Sequence, residues 1–190
     1  MAGARILVFG GSLRTGSWSA KLAALAAKDL ALLDADVSLI SLGDYPLPIY
    51  DGDLEAQKGV PENAKKLRAM MNAHRGIYIA TPEYNASIPP LLKNTIDWVS
   101  RPAAGGEDPY KKCIFALGAT SNGRFGGYRA LMSLRTVLEL GLQALVLPHQ
   151  VALSHVGQAF DEAGNIKDEI VAKLLHVSLT SLIAAVESDL

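Results

Sequence analysis

The stretch Ile6-Leu7-Val8-Phe9-Gly10-Gly11-Ser12-Leu13-Arg14-Thr15-Gly16-Ser17-Trp18-Ser19 decides the reading of this chain. An apolar run feeds straight into a short Gly/Ser/Thr loop with one arginine and no acid, and a segment rich in Ala and Leu follows at helical spacing. A buried strand, a glycine-bearing turn and a helix N-terminus in that order build an anion cradle. Backbone N–H groups and hydroxyls converge there on the positive end of the helix dipole. The loop lacks the lysine of the nucleoside-triphosphate phosphate loop and does not match the Gly-x-Gly-x-x-Gly dinucleotide fingerprint. Hydroxyls, amides and the lone Arg14 suit a terminal phosphate monoester, with the guanidinium able to pair two oxygens. Helix capping by Ser17 or Ser19 is the plainer reading of two of these residues, but it does not require so many donors in one loop.

Outward from this loop, strand-like and helix-like patterns alternate. Arg5 to Gly10, Asp36 to Leu42, Gly76 to Ala80, Lys112 to Ala119 and Leu145 to Leu153 read as strands, the last interrupted near Pro148. Between and after them, apolar residues recur at helical spacing: Leu22, Leu25, Ala26, Leu30 and Leu33; Val60, Ala64, Leu67 and Met71; and Val171, Leu174, Leu175, Leu182 and Val186. Pro89 to Ser100 and Gly127 to Leu140 also read as helices. Five strands separated by helices predict an α/β fold: a three-layer sandwich of one parallel sheet with helices on both faces, joined by right-handed crossovers. With no compositional break, the expectation is one domain over residues 1–190. Asp44 to Gly59, with Pro46, Pro48, Gly52 and Gly59, reads as an irregular structured excursion.

Composition narrows the function. The 190 residues are 49% apolar and 19% charged, with net charge −1, which argues against a nucleic-acid partner. No run of eighteen uninterrupted apolar residues occurs, so no membrane span is expected. The first residues lead into a strand without a basic region and cleavage signature, so no signal peptide is expected. The lone Cys113 agrees with a reducing, cytoplasmic setting and reads as a buried strand residue rather than a reactive thiol. His74, His149, His155 and His176 lack metal-ligand spacing, so no metal site is expected.

In a doubly wound sheet the ligand lies beyond the carboxyl ends of the strands, where the winding reverses. If the order is the five-stranded 2-1-3-4-5 of a flavodoxin-like sheet, that point lies between strands 1 and 3, and the order is supported by the loop after strand 3 being the second distinctive one: Thr81-Pro82-Glu83-Tyr84-Asn85-Ala86-Ser87-Ile88-Pro89-Pro90. A flat aromatic, a two-sided amide and free backbone donors between prolines fit the edge of a planar heterocycle; Tyr84 and Asn85 also suit a plain turn. A third loop, Gly118 to Tyr128, carries four glycines that allow close backbone approach or simply tight turns. Lys93 and Asp97 are spaced for a local ion pair, and Trp98 reads as a packing anchor.

Gly11-Ser12-Leu13-Arg14 with Ser17, then Thr81-Pro82-Glu83-Tyr84-Asn85, then Leu92-Lys93-Asn94 with Asp97-Trp98, resemble the NADPH-dependent FMN reductase family. This flavodoxin-like group includes chromate and quinone reductases and FMN azoreductases. The resemblance implies bound FMN, reduced by NAD(P)H and reoxidised by a quinone, azo, chromate or flavin acceptor. It places Ser12, Arg14, Ser17 and Ser19 at the FMN phosphate, Pro82, Glu83, Tyr84 and Asn85 along the isoalloxazine, and Ser121 and Gly123 beside it. Main-chain N–H groups near Glu83 to Asn85 would then face the reduced ring. Ser19 stands where an asparagine is common, and Pro90 where a glycine is frequent. No catalytic acid, base or nucleophile is implied, because the cofactor carries the chemistry. Homodimers or homotetramers are usual in the family. A flavin-binding electron carrier or regulatory module is the other reading, although electron-shuttling flavodoxins are strongly acidic and this chain is not.

Overall fold

The structure is a computed structural model and describes residues 3–102 and 106–188. Five parallel strands form one sheet: β1 (Arg5–Gly10), β2 (Asp36–Ser41), β3 (Gly76–Pro82), β4 (Ile114–Thr120) and β5 (Leu145–Leu153). Their order is β2-β1-β3-β4-β5, the order that the two distinctive loops and the family resemblance favoured. The helices are α1 (Trp18–Leu32), α2 (Gly52–Lys58), α3 (Glu62–Ala73), α4 (Pro90–Val99), α5 (Pro109–Lys112), α6 (Tyr128–Arg135) and α7 (Glu169–Glu187).

Side chains along each strand alternate between two cores. Ile6 and Val8 face a layer built with Leu22 and Leu30 of α1 and Leu175, Leu179 and Leu182 of α7. Leu7 and Phe9 face the opposite layer, with Leu67 of α3, Leu92 and Ile96 of α4 and Leu131 and Leu134 of α6. Burial on both sides is why the central strands read as continuous apolar runs. By length and composition α7 could cross a membrane; here its inner face closes the first core.

Three local details differ from the sequence expectation. Asp44 to Gly59 contains α2, capped by the Asp51 carboxylate, which accepts from Asp53 N–H at 2.9 Å. None of its residues is buried, so it carries no apolar periodicity to read. Lys112 and Cys113 precede β4: Asp108 caps the short α5, and Cys113 is buried at its end. Burial pushes the Cys113 thiol up to about 11, in keeping with an unreactive side chain. The helix expected over Gly127–Leu140 starts at Tyr128 and passes after Arg135 into a π-helical turn, Thr136–Gly141.

The irregularity expected near Pro148 is a register shift. Phe115 pairs with Val146, but Leu117 pairs with Gln150, so β5 carries extra residues there. Arg135 Nη1 donates to Leu147 O at 2.9 Å and Nη2 to Val146 O at 3.3 Å, satisfying carbonyls at the bulge.

Candidate functional site

The loops after β1, β3 and β4 meet at the carboxyl edge of the sheet around a cleft of about 290 Å³. Ser12, Arg14, Ser17 and Ser19 line one side, Pro82, Glu83 and Tyr84 another, and Ser121 the third. Asn85 and Gly123, expected with them, lie outside the lining. Trp18, Thr120, Asn122 and Val156 join it without having been singled out from the sequence.

The first loop is shaped by close packing beneath it. A Cβ on Gly10 would lie 3.2 Å from the backbone of Ala20, so glycine lets α1 begin directly over the end of β1. Gly11 N–H donates to Ala80 O at 2.8 Å, tying the loop to β3. Ser17 is the N-cap of α1: its Oγ accepts from Ala20 N–H at 3.4 Å and lies 2.9 Å from the Oγ of Ser19. Both serines are buried. The capping role therefore leaves room for an anion, because other first-turn N–H groups of a helix have no partner within it. Arg14 is exposed, its guanidinium folded back 3.4 Å from the carbonyls of Thr15 and Gly16.

The second loop is a tight reversal. Tyr84 and Ser87 exchange two backbone hydrogen bonds of 2.9 Å across Asn85 and Ala86, whose φ values of 48° and 63° define a left-handed turn. Asparagine tolerates this conformation and alanine pays for it. The Tyr84 N–H is thereby occupied, so it is not among the free donors expected to face a ring. Tyr84 is itself 45% exposed and stands at the cleft rim.

Glu83 is the one carboxylate among the described residues lining the cleft. It is paired: its carboxylate accepts from Arg129 of α6 and its side chain is only 5% exposed. In the third loop, Ser121 Oγ accepts from Gly123 N–H at 3.2 Å, while Ser121 O accepts from Val156 N–H at 3.3 Å. The latter bond carries Val156 from beyond β5 into the cleft wall. Gly126 and Gly127 are obligatory here, with φ of 61° and 87° and neighbours at 2.7 and 2.8 Å from any added Cβ.

The Leu92–Trp98 motif lies away from the cleft and anchors the excursion after β2. Trp98 Nε1 and Asn94 Nδ2 each donate to Pro48 O at 2.8 Å, and Asn94 Oδ1 accepts from Tyr50 N–H at the same distance. Tyr50 packs edge-on against Trp98 and donates its hydroxyl to Glu55 at 3.0 Å. Arg101 also donates to Glu55, at 2.9 Å, and holds that carboxyl below the usual carboxylate range. Lys93 and Asp97 pair at 2.7 Å along the helix. Among the described residues, no group of His, Cys, Asp or Glu is arranged to hold a metal ion.

A loop of hydroxyls and one arginine beside an open aromatic rim, at the switch point of a 2-1-3-4-5 sheet, places the chain in the flavodoxin-like class. Residues 4–158 match the model of the NADPH-dependent FMN reductase family, and the chain belongs to it. It is 35% identical over 180 residues to an NAD(P)H-dependent FMN reductase of Pseudomonas aeruginosa, covering 94% of this chain and 92% of that one. A quinone reductase of Escherichia coli K12 is 36% identical over 138 residues, 72% of this chain and 70% of its own. Among solved structures, the flavoenzyme NAD(P)H:(acceptor) oxidoreductase FerB of Paracoccus denitrificans superposes with a TM-score of 0.74, at 28% identity and 98% coverage of each chain. The chain is thus an FMN-binding NAD(P)H oxidoreductase.

Proposed function

We propose that the cleft seats FMN with its phosphate on Ser12, Arg14, Ser17 and Ser19 and its ring between the Pro82–Asn85 loop and the Ser121–Gly123 segment, and that the acceptor is a small oxidised molecule, a quinone first of all. FMN held there would supply the two-electron chemistry, hydride transfer from NAD(P)H onward to the acceptor. The carrying observation is the meeting of three separate loops on one cleft where Glu83, the one lining carboxylate among the described residues, is already paired with an arginine. A phosphate then meets hydroxyls, helix-end N–H groups and Arg14 without an opposing free charge.

The chain's own part is to bind, orient and leave one ring face accessible. Ser17 and Ser19, buried and mutually hydrogen-bonded, present their hydroxyls from a fixed floor. Arg14, tethered only by two long contacts to its own loop, swings onto phosphate oxygens at little cost. The exposed Tyr84 marks the side from which NAD(P)H and the acceptor approach in turn. Quinone reductases among the relatives support a quinone; azo dyes, chromate and free flavin are the other acceptors of the reading.

A cytoplasmic homodimer or homotetramer is the proposed setting. Large apolar side chains left exposed, Ile49 and Leu140 among them, support association. A monomer in sedimentation at micromolar concentration would remove that part.

The test is titration of flavin-free protein with FMN, followed by turnover with NADH and NADPH against quinone, azo, chromate and flavin acceptors. FMN binding and quinone turnover are expected. Arg14→Ala should weaken FMN binding about tenfold, the loss of one charge-assisted phosphate contact; unchanged affinity would remove Arg14 from the phosphate site. Electron transfer without turnover would favour the carrier reading.

A further inference from the structure

The Glu83–Arg129 pair joins two elements that are 46 residues apart in sequence. Helix α6 begins after Gly127, which has no side chain with which to cap it. Glu83 performs that task from the β3 loop: Oε2 accepts from the N–H groups of Arg129 at 3.2 Å and Ala130 at 3.3 Å. Its Oε1 accepts from Arg129 Nε at 3.0 Å and from Nη2. The guanidinium also lies 5.7 Å from the centre of the Phe125 ring, which Arg124 approaches at 4.7 Å. One carboxylate thus takes the helix end and a cation together, and its neighbours Pro82 and Tyr84 line the same cleft.

Resting on the flavin reading above, we propose that Arg129 is a positioning residue for the FMN site: it neutralises Glu83 in the cleft wall and locks the Pro82–Asn85 turn to α6. Reducing the flavin adds negative charge beside this wall. A lone carboxylate there would disfavour the reduced form, whereas a carboxylate compensated by Arg129 and the α6 N-terminus does not. Arg129 therefore acts through Glu83 and selectively on the reduced state. A purely structural clamp would affect both oxidation states alike.

The experiment measures dissociation constants of oxidised FMN, and of dithionite-reduced FMN under anaerobic conditions, for wild-type protein and four variants. For R129A the ratio of the reduced to the oxidised constant is expected to rise about three- to tenfold, the range for a half-exposed ion pair near a charge. E83Q should move the ratio the opposite way. R129K should keep the wild-type ratio, because it retains the charge. The double variant E83Q/R129A should return it to within about twofold of wild type, since the removed charges are coupled. A ratio unchanged in R129A, not rescued by R129K, or still shifted in the double variant would overturn the proposal. Wild-type protein that binds no FMN would overturn the underlying reading and this proposal with it; normal wild-type binding with any of the other failures overturns this proposal alone.

Discussion

Tyr78 sits at the centre of β3 with its side chain wholly buried, and among the described residues its hydroxyl has no hydrogen-bond partner. Burial drives its ionisation well above the ordinary tyrosine value. The hydroxyl occupies the space that a Cβ would need at Gly118 on the neighbouring strand, so that glycine answers to Tyr78 rather than to a ligand. An unsatisfied buried hydroxyl costs free energy that a phenyl ring does not. Tyr78→Phe is therefore expected to stabilise the protein by about 1 kcal/mol, seen as a higher denaturant midpoint with unchanged slope. A lower midpoint would mean that the hydroxyl has a partner in solution. At the same scale, Ser17 caps α1 and also lines the cleft, so capping does not compete with the proposed anion role.

At the level of elements, the segment from Tyr45 to Lys58 owes its place to α4. Pro48 O is held from two sides by Asn94 and Trp98, and Glu55 is held by Tyr50 and Arg101. Trp98→Phe keeps an aromatic ring but loses the indole donor and part of the packing against Tyr50. The expected cost is about 1–3 kcal/mol. Amide exchange should quicken in residues 46–58 while β1, β3 and β4 keep their protection; uniform quickening across the sheet would show that Trp98 supports the core and not this segment. The central strands and the apolar-striped helices were legible because burial writes its period into local sequence. Helix α2 was not, because its inward side rests on Leu54 and Glu55 alone, too little for an apolar stripe to show in the sequence. The β5 bulge left a trace in Pro148, which cannot donate to a strand ladder.

On the scale of the whole molecule, one sheet carries a core on each face, and every central strand contributes to both. The proposed single domain should therefore unfold in one thermal transition. At an FMN concentration of about 100 times its dissociation constant, stability should rise by about 2.7 kcal/mol through preferential binding to the folded state. Two separate transitions, or a melting temperature indifferent to FMN, would contradict this. The sequence by itself determined the layer architecture and the two loops richest in ligand chemistry, since strand burial, helix stripes and turn residues are written at short range; the strand order followed only through the family resemblance, because the crossovers set which strands lie side by side. Only the tertiary structure decided that Glu83 serves α6 through Arg129 and that Val156 completes the cleft. Those pairings join residues distant in the chain, and nothing at either position marks its partner until the crossovers bring the strand ends together.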